Sequence, residues 1–284
     1  MITSADNPKE TEREFEPLLA AAARIRGRII QLSHQARTPH LGSSLSFVEL
    51  LVYLYWNFLK ISPGQVSSPD RDRFILSKGH GITTLYSVLA ERGFFSPEIF
   101  EDYAQAGSPL PEHPSPQCVP GIEAATGSLG HGLSIATGIA LASKMNGIPF
   151  DVVTLLSDGE CNEGSTWEAA LLAPVHKLDN LIAIVDFNKW QATGRSAEIT
   201  ALEPLEKKFS AFGWNSTRID GHDFLQIESA LASASQSDKP FAIIADTIKG
   251  KGIKMMEDDN NWHYRIPTKE EVDSSFLELD LESL

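Results

Sequence analysis

The chain has 284 residues, 42% hydrophobic and 22% charged, the balance of a globular protein long enough for a substantial core in one or two domains. Its formal charge of −14 argues against non-specific nucleic-acid binding and against an anionic membrane surface, although a local site can oppose the global sign. Two cysteines, Cys118 and Cys161, exclude a disulfide framework; with a polar N-terminus that is no secretory signal and no apolar run of membrane-spanning length, the expected location is the cytoplasm.

In chain order, apolar residues at helical spacing (Leu18, Leu19, Ala22, Ile25, Ile29, Ile30, Leu32) predict a helix over residues 11–35. A second helix is expected over 46–59, a short strand over 71–77 ended by Lys-Gly-His-Gly, and a helix over 83–92. Residues 107–121 (GSPLPEHPSPQCVPG) are too rich in proline for regular structure, so they form an ordered loop or a disordered link. The second half alternates more clearly. Strands are expected at 151–157, 181–187 and 241–248, with a weaker one at 216–220; helices are expected at 165–177, before Gly213, and at 224–234. Continuous apolar strands alternating with helices imply a parallel sheet covered on both faces. The expected fold is therefore α/β, a doubly wound, mostly parallel sheet flanked by helices. Residues 1–284 are expected to form one domain, with 268–284 an acidic peripheral helix or tail.

Ligands of open parallel sheets bind beyond the carboxyl ends of the strands. Asp158 and Asn188 follow two predicted strands and lie thirty residues apart, about one strand–helix–strand unit. Neighbouring strands are roughly 5 Å apart, so both side chains can reach one ion. A carboxylate and an amide oxygen are hard ligands, suited to Mg²⁺ or Ca²⁺ completed by phosphate and water. Gly159 would let backbone N–H groups approach a phosphate near the following helix. A bare turn at Asp158-Gly159 and a capping role for Asn188 are the plainer alternatives. A calcium loop fails, because its sixth position would be Glu163 and its twelfth Ala169. GSLGHG at 127–132 has the wrong glycine order for a dinucleotide site, and no GxxxxGK[ST] occurs.

SDGECNEG (157–164) followed by VDFNKW (185–190) resembles the thiamine-diphosphate motif of the transketolase family. TPHLGSSLS (38–46), DRFILSKGHG (72–81), EHPS with PGIEAATGSLGHG (112–132) and TIKGKGIKMMEDDNNWH (247–263) match the same family in order, so the resemblance spans nearly the whole chain. It implies the diphosphate-binding domain of a transketolase, with Asp158, the Asn188 side chain and the Trp190 carbonyl holding Mg²⁺, or Ca²⁺ or Mn²⁺ in its place. Gly159 would contact the diphosphate, and Gly127, Ser128 and Leu129 would approach the cofactor rings through their backbone. The chain departs from the family at Ser157, where the first Gly of the motif is missing, and at His131, commonly Gln.

The resemblance also assigns four histidines. His80 and His263 would lie near the diphosphate and thiazolium, and His40 and His113 would face the substrate carbonyl and hydroxyls. Imidazole suits both tasks, since it can donate, accept and stabilise a developing oxyanion near neutral pH. Lys78 and Lys249 are expected either to pair with phosphate or to be solvated. Cys161 reads as a buried or interfacial thiol, and His176 and His222 as surface or packing residues. Glu163 and Glu168 match family carboxylates at the subunit interface, although helix-start capping would explain Glu163 equally well.

In the family, a glutamate of a second, pyrimidine-binding half activates the cofactor. That half has no counterpart before Leu284. The expectation is a split enzyme: a partner subunit carrying the glutamate, a heterotetramer, and transfer of a two-carbon ketol unit from a ketose, usually phosphorylated, to an aldose. A split enzyme with a 2-oxoacid donor and a non-catalytic paralogue are the competing readings.

Overall fold

The computed structural model describes residues 8–283. Five strands form one sheet: β1 (Arg73–Leu76), β2 (Val152–Ser157), β3 (Leu181–Phe187), β4 (Asn215–Asp220) and β5 (Phe241–Asp246). Their order is β1-β2-β3-β5-β4, and every pairing is parallel, so the expected mostly parallel sheet is wholly so. β2 and β3 are buried at every position, which is why their sequences are unbroken apolar runs. Alternation along β3 divides the core. Ile182 and Ile184 join the cluster under α1 (Pro8–Ala36), α3 (Val48–Tyr53), α4 (Ile82–Glu91) and α9 (Phe224–Ser235). Leu181, Ala183 and Val185 join the cluster under α5 (Gly132–Asn146), α6 (Gly164–Val175) and α8 (Leu205–Ala211).

A short α7 (Ser196–Ile199) follows β3, and several boundaries move for identifiable reasons. The helix expected over 46–59 is broken. A short α2 (Leu41–Leu45) ends at Ser46, whose hydroxyl donates to Asp186 (2.6 Å), and α3 runs on into a π-helical turn at Leu54–Phe58. β5 stops at Asp246 because Thr247 bonds the Asp186 carboxylate and the Ile248 N–H turns to His222 Nε2 (2.9 Å). β4 is an edge strand with only Ile219 buried, which explains its weak sequence signal. Helix α5 has no counterpart among the predicted elements; its Gly, Ala and Ser residues give it no apolar stripe. Among the described residues, two helices carry an internal proline, Pro17 in α1 and Pro174 in the last turn of α6.

The proline-rich segment is irregular yet anchored, with Leu110 fully buried and the Tyr86 hydroxyl donating to the Pro111 carbonyl (3.2 Å). The C-terminal segment contains α10 (Lys269–Glu278), started by a reciprocal cap between Thr268 and Glu271 and packed along α1. Among the described residues, no helix is long and apolar enough to cross a membrane.

A buried ion cluster ties the layers on one face. Arg26 of α1 donates to both oxygens of Glu49 of α3 (2.6 and 2.8 Å), His222 Nδ1 lies 3.1 Å from the same carboxylate, and Arg26 Nε donates to the Lys251 carbonyl (2.8 Å). Burial raises the Glu49 pKa, but Arg26 and His222 outweigh it and hold the group at about 2, below its ordinary 4.5. A depressed carboxylate stabilises the fold above its unfolded pKa, and that contribution fades as pH falls from about 4.5 towards 2. In denaturant titrations, Glu49→Gln should therefore show a shallower loss of stability than wild type in that window. At pH 7, Glu49→Ala should destabilise by about 3 kcal/mol, since it leaves Arg26 buried without its partner.

Candidate active site

Asp158 and Asn188 emerge from adjacent parallel strands. Ser157 of β2 is in register with Asp186 of β3, and the Asp158 N–H donates to the Asp186 carbonyl (3.3 Å). Both residues line a cavity of ≈ 360 Å³ at this end of the sheet. His40, His80, His113 and His263 line it too, with Gly127, Leu129, Gly159 and Trp190. Ser128, by contrast, is exposed and lies outside the cavity wall.

The four histidines come from four separate segments and meet at one place. His40 lies 5.3 Å from His80, 6.2 Å from His113 and 4.9 Å from His263, measured between ring centres. His40 reaches this position with φ 70, its N–H donating to the His263 carbonyl (2.8 Å). Gly127 carries the opposite wall at φ 130, and a Cβ there would fall 2.5 Å from the His113 ring. That contact excludes any larger residue and brings the loop backbone against the imidazole.

Burial lowers the pKa of His40 to about 4, aided by His113, Lys249 and Lys78. Burial likewise lowers His263 to about 3, with Lys249 the main charged neighbour, and drives His80 well below 6.5. These three rings are neutral at pH 7, each with one N–H donor and one lone pair. Lys249 Nζ sits 3.2 Å from His263 Nδ1 and donates to the Asn260 side-chain oxygen (2.6 Å). An ammonium only donates, so Nδ1 accepts and the His263 proton resides on Nε2. Burial and Lys78 lower Lys249 itself to about 8.

Lys78 and Lys249 are neither solvated nor part of the cavity wall, which corrects that alternative; both are fully buried. Lys78 donates to Asp186 Oδ2 (2.5 Å) and to the Ser43 carbonyl (2.9 Å), over the Phe47 ring. Asp186 also accepts from Ser46, Thr247 and the Asn188 amide nitrogen (3.3 Å). The Asn188 oxygen accepts the Trp190 N–H (3.0 Å). Sequence reasoning misses Asp186, although a lone carboxylate inside an apolar strand signals a buried partner.

Asp158 is buried, its two oxygens accepting from the Gly159 N–H (2.8 Å) and the Ser196 hydroxyl (2.7 Å). Burial and the nearby Asp186 charge push its carboxyl up to about 6 against those hydrogen bonds. A buried carboxylate so raised is one that a cation would relieve. Among the described residues, no three His, Cys, Asp or Glu side chains cluster as a metal cage. The donors on offer are one carboxylate, one amide oxygen and the Trp190 carbonyl, a hard oxygen set that fits Mg²⁺.

Glu160 also carries no sequence signal. Buried beneath the Ser157 turn, it accepts from the Ser77 hydroxyl, the Gly130 N–H (3.0 Å) and the Ser157 N–H (2.9 Å). The Ser77 oxygen accepts in turn from the Gly132 N–H (3.1 Å). Ser157 fits where glycine was expected because its hydroxyl turns inward to accept the Glu160 N–H (3.3 Å). Cys161 is buried, with burial raising its thiol pKa. His131 is exposed, and His222 packs against Glu49. His176 is exposed at the end of α6. Glu163 stands at the start of α6 without a side-chain capping bond, and Glu168 is exposed.

The chain is 41% identical over 93% of its length, and 96% of the other protein, to an apulose-4-phosphate transketolase subunit from Actinobacillus succinogenes. It is 43% identical over 86% of its length, and 89% of the other, to a 6-deoxy-6-sulfo-D-fructose transketolase subunit from a Clostridium species. The crystal structure of Campylobacter jejuni transketolase superposes with a TM-score of 0.88 at 31% identity, covering 93% of this chain and 43% of that one. The chain thus spans about two fifths of the solved transketolase chains it matches. Residues 19–279 match the family described as transketolase, thiamine diphosphate binding domain, and the chain belongs to that family.

Proposed function

We propose that this chain is the diphosphate-binding subunit of a two-component transketolase, which moves a two-carbon ketol unit from a ketose to an aldose with Mg²⁺ and thiamine diphosphate. The observation that carries this reading is the cavity in which Asp158, Asn188 and Trp190 meet four histidines. The relatives support the division into subunits: the chain covers 96% and 89% of two proteins named as transketolase subunits, but 41% of human transketolase. The partner would supply the pyrimidine-binding half and the activating glutamate, and a heterotetramer in the cytoplasm would complete the sites. The names of the two relatives point to ketose substrates with a phosphate or sulfonate at the far end.

Asp158, the Asn188 oxygen and the Trp190 carbonyl hold the ion, and Gly159 leaves room for the diphosphate at the backbone. Bound thiamine diphosphate supplies the nucleophilic carbon and the electron sink for breaking a carbon–carbon bond. His263, its Nδ1 engaged by Lys249, presents Nε2–H as a donor, and neutral His80 lies beside it, their ring centres 5.9 Å apart. His40 and the more exposed His113 flank the path of the sugar and donate to its carbonyl and hydroxyls. As a neutral donor, His40 stabilises developing negative charge without forming a fixed ion pair with the cofactor.

The chain purified alone should turn over at least about 1000-fold more slowly than its complex with the partner in a two-carbon transfer assay, since the activating group is missing. Robust turnover by the lone chain would refute the division. In that complex, Asp158→Ala should abolish Mg²⁺-dependent binding of thiamine diphosphate in calorimetry; unchanged affinity would mean the ion is elsewhere. Nitrogen NMR should show His40 and His263 neutral from pH 8 to 5, with titration only near about 4 and about 3. His263→Ala should lower turnover about 100-fold while leaving the melting temperature nearly unchanged.

A further inference from the structure

One hairpin connects both ends of the candidate ion site. Residues 189–196 leave β3 and fold back, with the Gln191 N–H donating to the Gly194 carbonyl (2.9 Å) and the Ser196 N–H to the Lys189 carbonyl (3.0 Å). Trp190 and Arg195 stand opposite each other across this turn. At its start, the Trp190 N–H holds the Asn188 oxygen; at its end, the Ser196 hydroxyl holds Asp158.

Its outer side is gripped by a residue from a distant segment. Asp258 accepts the Trp190 indole N–H (2.8 Å) and both terminal nitrogens of Arg195 (2.6 Å each). The Arg195 guanidinium also lies over the Trp190 ring, 3.7 Å from its centre. Asp258 is set at φ 58, and its own N–H donates to the Lys249 carbonyl (2.8 Å). Two residues later, the Asn260 amide donates to the Ala192 carbonyl (3.2 Å) while its oxygen accepts from Lys249. The segment that carries Lys249 and His263 is therefore bolted to the hairpin that carries Trp190.

We propose that Asp258 is a positioning residue for the divalent ion: through Trp190 and Arg195 it fixes the hairpin that presents the Trp190 carbonyl and braces Asp158. This rests on the cofactor reading above. The Arg195 and Asp258 side chains are 34% and 55% exposed, so the pair adds little to global stability. Loosening a group that orients a metal ligand typically costs about 10- to 100-fold in metal affinity. Stability and ion affinity should therefore separate, which a purely structural role would not produce.

The test is a calorimetric titration of Mg²⁺ into the complex with its partner at fixed thiamine diphosphate. Asp258→Gly accepts the left-handed backbone and removes the carboxylate alone. It should weaken Mg²⁺ about tenfold while the ligand-free melting temperature moves by less than about 3 °C. Asp258→Asn, which keeps an acceptor for the indole but not the charge for Arg195, should fall between it and wild type. Arg195→Met should repeat the effect from the other side. Wild-type Mg²⁺ affinity in Asp258→Gly and Arg195→Met would overturn the proposal, as would an affinity loss matched by a large fall in melting temperature. Asp158→Ala is the control. If it loses binding while Asp258→Gly does not, the cofactor reading stands and the role of Asp258 falls; if wild type shows no Mg²⁺-dependent binding, both fall.

Discussion

Beneath the cavity floor lie an ammonium and a carboxylate, Lys78 and Asp186, both with fully buried side chains. Taking two charges out of water is costly, and their attraction repays it only where every remaining hydrogen-bonding position is filled. Here the surroundings fill most of them, and the Phe47 ring lies under the ammonium. Ser46, Thr247 and Asn188 all donate to Asp186, and the Ser43 carbonyl receives a second Lys78 proton. The pair thereby collects four segments, from α2, β1, β3 and the end of β5, around one carboxylate. It also settles the orientation of Asn188. With its nitrogen turned to Asp186, the amide keeps its oxygen on the side of Trp190 and the cavity, as an oxygen-seeking cation requires.

The chain carries −14, yet its cavity is backed by two buried lysines and ringed by histidines. Lys78 is charge-paired with Asp186, while Lys249, bonded to Asn260 and His263, keeps a positive field towards the rings. The same field, added to burial, keeps three of the imidazoles unprotonated and so keeps their lone pairs and N–H groups separately assignable. Two lysines buried behind the wall thus serve the histidines in front of them.

Much of this is legible from the sequence because it rests on strand ends. Asp158 and Asn188 close two apolar runs, and parallel register then places them side by side whatever the intervening helix does. The four histidines emerge through motif resemblance; spacing alone could not bring together rings from positions 40, 80, 113 and 263. The residues that leave no such trace, Glu160, Asp186 and Asp258, act on other protein groups. Their partners are distant in sequence, and only the folded chain puts Asp258 on Arg195 or Glu160 on Gly130. Helix α5 is hidden for a related reason. Its small residues pack against β2 and α6 without the stripe that marks a helix with one wet face.

Glu160 constrains how such a chain can diverge. One carboxylate clasps the end of β1, the turn after β2 and the loop entering α5. Inserting or deleting a residue between Gly127 and Gly132 would tear an amide from that clasp and strand a buried anion. The irregular proline-rich stretch at 107–121 meets the core through side chains such as Leu110 and Val119, with most of its other residues partly or fully exposed. Changes in chain length on this side of the molecule should therefore accumulate there, on either side of His113, giving related proteins differently shaped entrances over an unaltered floor.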